Sequence, residues 1–430
     1  MREKLVAAAA AAAQADARQQ GLHDILAGLE AGLAPADQVA RSRFFEPLAI
    51  LTGDPAQVPP SRAYFTPHFL DRIWSWFEDQ LGEEFIAWAI ADDNLAWHDS
   101  WTQRRKQAAQ ALSDFLDVSA NDRKAEARLA ALWGAGGAER ARDIATLLRS
   151  SGEITAALKP FPDEIRDLTP ELCTELRDGY ERFGDDAPDA GLWLLLIILA
   201  RLKKTAQIFR AIEKIGRRGD DLLVSKTDLA TVGDAVFKDA EHFAALFKHA
   251  PDTLDDARVA VDGLANYVSI TVGMTREFGI RKDGRWGKQL FGLRSQVSSD
   301  LEKIFASVPK ALGKAVPEPR KGKGGIMTPV EIAPETVIEQ AEARLHFVAG
   351  AHEWASQAAV ASIHKKTEEA ATTLLDDCSS ALINLVQHSE GEEQALASQG
   401  LDVVARLFEA AGQDENASLI RRRSAAALAA

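Results

Sequence analysis

The chain is 430 residues long, with 46% hydrophobic and 27% charged side chains and a formal net charge of −14. That length allows one large or two to three ordinary domains with a sizeable core, and the acidic balance argues against a protein that wraps nucleic-acid phosphate with most of its surface. Cys173 and Cys378 lie far apart and form no Cys-x-x-Cys pair, which speaks against a zinc knuckle or a disulfide framework and suits a reducing, cytoplasmic compartment.

Helical patterning recurs from end to end, and alternating strand patterns do not. Positions 1–17 carry an alanine-rich run with Glu3 ahead of it, read as a helix former and not as a secretion signal. Pro35 and the cluster Gly53, Pro55, Pro59 and Pro60 punctuate the next stretch, and Thr66-Pro67 opens a helix, because proline at the first helical position loses no hydrogen bond.

Positions 64–101 hold five of the nine tryptophans. Phe69, Ile73, Phe77, Leu81, Phe85 and Trp88 keep helical spacing and are expected to form core. Trp74, Trp97 and Trp101 are less easily assigned to that stripe, and with Arg104 and Arg105 they have the composition of a protein-binding surface. His98-Asp99-Ser100 offers triad residue types, but neighbours on a helix point about 100° apart, so no hydrogen-bonded relay forms among them.

Further turns are expected at positions 134–137, 160–162, 184–188 and 216–219, with helices opening at Thr169-Pro170 and Pro251-Asp252. The apolar run at 192–200 is too short to cross a membrane, which takes about 20 residues, and reads as a buried helix. His242 and His249 share a helical face with Lys238 and lack the acidic or cysteine companion that a metal site needs.

Charge then changes sign. Positions 276–323 hold twelve basic and five acidic residues, a net +7 on an acidic chain. Arg276, Arg281, Lys282, Arg285, Trp286, Lys288 and Arg294 are its candidates for gripping an anion or an acidic partner, and nucleic acid is the weaker option. Lys-Gly-Lys-Gly-Gly at 321–325 lacks phosphate-loop spacing. The prolines and glycines around it predict a flexible basic linker over 311–332.

Beyond the linker, positions 335–386 contain no proline and one glycine, Gly350, and predict a long helix with an apolar seam, followed by two shorter ones. The opposite face carries Glu342, His346, Glu353 and His364, a candidate metal-ligating set if another helix adds carboxylates; His352 falls in the apolar seam.

The expected architecture is therefore all-α: a bundle or irregular α-solenoid body over 1–310 with a sub-boundary near 151–190, the linker at 311–332, and a helical module over 333–430. No motif specifies a reaction or a cofactor. The leading expectation is a non-catalytic interaction protein, a scaffold, adaptor or regulator, which contacts protein partners, while its C-terminal helix either packs on the body, pairs with its own hairpin or dimerises. A helical-bundle metal-binding protein or enzyme is the alternative, and docking of an anionic ligand or nucleic acid through 276–294 the weaker one. The alanine- and arginine-rich helices suggest a bacterial source.

Overall fold

Hydroxyl side chains cap helices close to where the sequence places them. Thr66 Oγ1 accepts from the Phe69 amide at 3.2 Å, Thr169 Oγ1 from Leu172 at 3.4 Å, and Thr253 forms a reciprocal capping box with Asp256. The computed structural model describes residues 36–91, 98–120, 125–184, 187–216, 227–317 and 330–429. The alanine-rich start at 1–17, Trp97 and the Lys-Gly-Lys-Gly-Gly run lie outside the described residues.

The fold is all-α. Among the described residues there is no strand, only the isolated bridges Thr52 with Phe65 and Ile165 with Leu202. The helices are α1 (Ala36–Phe44), α2 (Pro67–Ala91), α3 (His98–Ala120), α4 (Ala125–Trp133), α5 (Gly137–Arg149), α6 (Ser151–Leu158), α7 (Pro170–Phe183) and α8 (Pro188–Arg201). They continue as α9 (Ile208–Gly216), α10 (Ala230–Leu246), α11 (Leu254–Glu277), α12 (Arg285–Ala315), α13 (Glu335–Ala351), α14 (Ala361–His388), α15 (Glu392–Ala410) and α16 (Asp414–Ala429). No described helix is long and apolar enough to cross a membrane.

The contacts divide the chain into two compact units, and the division does not fall at 311–332. The first unit takes residues up to Val58, Arg62–Pro162 and Gly179–Ala200; the second takes Pro59–Ser61, Asp163–Asp178 and everything from Arg201 on.

In the first unit, α5 packs along α3, and α2 bends at Gly82, whose φ of 76° leaves the helical region and suits glycine. Its core gathers aromatic rings: Phe44 meets Trp74, Phe77 and Phe85 edge-on at 5.5–5.6 Å. The apolar run in α8 is buried, with no residue from Trp193 to Ala200 more than 4% exposed.

In the second unit, α10 packs on α11, α11 on α13, and α12 against both α13 and α14. α14 in turn packs on α15 and α16, so the C-terminal helices share a core with α11 and α12. Two expectations change here. α12 continues through Pro309 to Ala315, past the expected linker start, because its buried stripe of Phe305, Val308, Leu312 and Ala315 runs on across the proline. The expected long helix over 335–386 is two helices, α13 and α14, with a turn at 352–360 in which Ala359 takes a φ of 61°.

Candidate functional site

The tryptophan surface expected in the first unit is interior where it is described. Trp74 is 5% and Trp101 8% exposed. Arg105 is 6% exposed: its Nε donates to Phe44 O at 2.9 Å, its Nη2 donates to Arg43 O at 2.7 Å, and Nη2 lies 3.5 Å from Glu46. Arg105 therefore closes the end of α1 by satisfying carbonyls that the helix leaves open. Arg104 is half-buried, with Nη1 3.5 Å from Gln107.

The basic segment is also largely engaged, within the second unit. Trp286 is fully buried among Phe209, Phe237 and Phe278, and its Nε1 donates to Asp234 at 2.9 Å. It packs against bare backbone at Gly233, where a Cβ would stand 2.3 Å from the indole. Arg285 pairs with Asp234, Arg281 with Asp283, and Arg276 with Glu277, which also holds Arg210 at 2.6 Å. Those guanidinium hydrogen bonds, Arg210 first, hold the Glu277 carboxyl below the usual range. Arg294 donates to Thr271 O at 2.7 Å.

Lys282 and Lys288 remain exposed. Lys282 lies over the Phe291 ring at 5.4 Å, and Lys288 lines a groove between α10 and α12 of about 430 Å³. The groove's apolar floor is Ala244, Ala245, Leu293 and Val297. Its rim carboxylates are occupied, Glu241 by Gln289 at 3.1 Å and Asp300 by Lys303 at 3.0 Å. The rim lysines Lys248 and Lys288 hold no ion pair among the described residues. Lys288 is among the cations singled out from the sequence and Lys248 is not, because the two become neighbours only when α10 and α12 align.

The Glu/His set of the C-terminal helices does not assemble as expected, because the break at 352–360 destroys the shared face. Glu342 accepts from Arg406 at 2.8 and 3.1 Å, and Arg406 also holds Glu335. His346 is half-buried, and burial followed by the nearby Arg258 cation lowers its pKa. Glu353 sits exposed in the turn. Among the described residues, His364 is the one of the four that joins a cluster, and its companions are His352 and Glu368. The same turn that breaks the long helix swings His352 onto α14, with the two imidazole centroids 5.6 Å apart.

Compared with known proteins, the chain matches no family model, no curated protein and no solved structure.

Proposed function

We propose that this chain is a non-catalytic interaction protein and that its second unit docks an acidic, amphipathic segment of a protein partner in the groove between α10 and α12. The observation that carries the reading is the pairing of an apolar floor with a rim whose carboxylates accept from neighbouring side chains and whose lysines form no ion pair among the described residues. Gly292 leaves the groove wall open, since a Cβ there would meet nothing within 4 Å. Phe291, 36% exposed beside it, offers the partner an aromatic contact. An amphipathic helix laid in such a groove buries its apolar ridge on Leu293 and Val297 and places its acids on Lys248 and Lys288. Lys282 continues the cationic edge.

A display selection of random helical 15-mers against the purified chain tests this. The expected winners combine leucine or phenylalanine at three- and four-residue spacing with aspartate or glutamate. Their binding weakens with rising salt and falls about 10-fold or more in the Lys248→Glu, Lys288→Glu double variant, the scale of about two charge contacts. Selected peptides that lack acids, or that bind the double variant equally well, would remove the reading.

A further inference from the structure

His352, His364 and Glu368 place their candidate ligating atoms within 4.8 Å of one another. The side chain of His364 is 4% exposed, and its Nε2 lies 2.7 Å from the Val348 carbonyl oxygen. A carbonyl only accepts, so Nε2 carries the proton and Nδ1 of the neutral ring presents a lone pair. That lone pair faces Glu368 Oε2 at 3.4 Å. With the ring neutral the two acceptors repel each other, and a metal ion or a second ring proton between them removes that repulsion.

His352 Nδ1 approaches the other carboxylate oxygen, Oε1, at 3.2 Å. Two ligand atoms, each about 2.05 Å from a tetrahedral ion, stand roughly 3.3 Å apart, and each imidazole nitrogen stands at about that spacing from one oxygen of the carboxylate. The Val348 carbonyl acts as the outer partner that fixes tautomer and ring orientation in histidine metal sites. Behind the ring, Phe305 packs edge-on to His364 at 5.3 Å and walls the buried side. The other side is open, with the His352 side chain 71% and Glu368 33% exposed.

We propose that His352, His364 and Glu368 bind one divalent transition-metal ion of the zinc class, with the remaining coordination position facing solvent. Two nitrogen donors and one carboxylate suit Zn²⁺, Co²⁺ or Ni²⁺; Mg²⁺ and Ca²⁺ take oxygen donors. Glu368 lies one helical turn beyond His364 on α14, so these two ligands are set by the helix itself, while His352 arrives from the turn after α13. The ion therefore ties that turn to α14. This site shares no residue with the α10–α12 groove, and the two readings stand or fall separately.

Tag-free full-length protein, cleared of metal by chelator, is titrated with Zn²⁺ by calorimetry and with Co²⁺ by visible absorption. The expected result is one ion per chain, with Co²⁺ bands of the four-coordinate type. His352→Ala and Glu368→Gln each weaken binding by at least ~10-fold, the scale reached on losing even an outer-shell partner. His242→Ala, which alters an imidazole outside the set, binds as the parent does. The test rests on the two more exposed ligands because replacing buried His364 would disturb packing, and circular dichroism checks that helix content is unchanged. Uptake of no ion at millimolar concentration, or variants that bind as tightly as the parent, would overturn the site.

Discussion

The environment of Asp143 changes its chemistry. Burial, then the neighbouring Asp189 and Glu139 carboxylates, push it from 3.8 up to about 6. A carboxyl that holds its proton more tightly when folded stabilises the fold fully below pH 3.8 and loses that contribution as pH rises through 6. Asp143→Asn should therefore raise stability at pH 7.5 by about 1 kcal/mol, a figure discounted for screening of a partly exposed group, and the gain should vanish at pH 4. Urea denaturation of both proteins at the two pH values reads this directly, and an equal difference at both would count against it. Glu139, four residues earlier on the same helix, is a local cause, but the burial depends on packing and Asp189 comes from another helix. The same reason explains Trp74, Trp101, Arg105 and Trp286. Their residue types suit a surface hot spot, whereas their neighbours, which decide burial, arrive from elsewhere in the chain. His352 was misplaced for a different reason: it falls on the apolar side only if the helix runs straight through it.

At the scale of elements, the caps at Thr66 and Thr169 and the turn at Gly134 and Gly136 were legible because the responsible groups are within a few residues of the feature, while the helix expected to open at Pro251-Asp252 is capped by Thr253. The corner at 352–360 was not. Residues there have ordinary helical propensity, and the segment lacks the proline or glycine that usually marks a break. The turn is held by tertiary and local contacts, including Val360 N to Ala355 O at 2.9 Å and Ser298 Oγ to Ala359 O at 3.5 Å. Gly350, just before it, lets α13 approach α11 closely, since a Cβ would fall 2.5 Å from Val261 Cγ2. Gly350→Ala should cost about 1–3 kcal/mol by overpacking, although alanine is the better helix former. Thermal unfolding measures the loss, and Val261→Ala in the same chain should recover part of it. A Gly350→Ala protein as stable as the parent would mean that the helices separate freely at this crossing.

For the molecule as a whole, the C-terminal helices are part of the second unit's core. Leu401, Val404, Leu407 and Phe408 of α15 are at most 1% exposed, and α15 packs on α13 and α14. A chain ending at Glu390 should therefore lose the cooperative unfolding of that unit and expose apolar surface to a hydrophobic dye. Unchanged cooperativity would show instead that α11 to α14 form a self-sufficient core. The sequence by itself determined the all-α class, the helix starts after Thr66 and Thr169 and the burial of the α8 run, because period, caps and uninterrupted apolarity act over one or two helical turns. Only the tertiary structure decided where the units divide, which aromatic and cationic side chains are interior, and that His352 meets His364 and Glu368. Those outcomes depend on which distant helices share a core, and burial of apolar surface, which drives that choice, has no direction that a local pattern can encode.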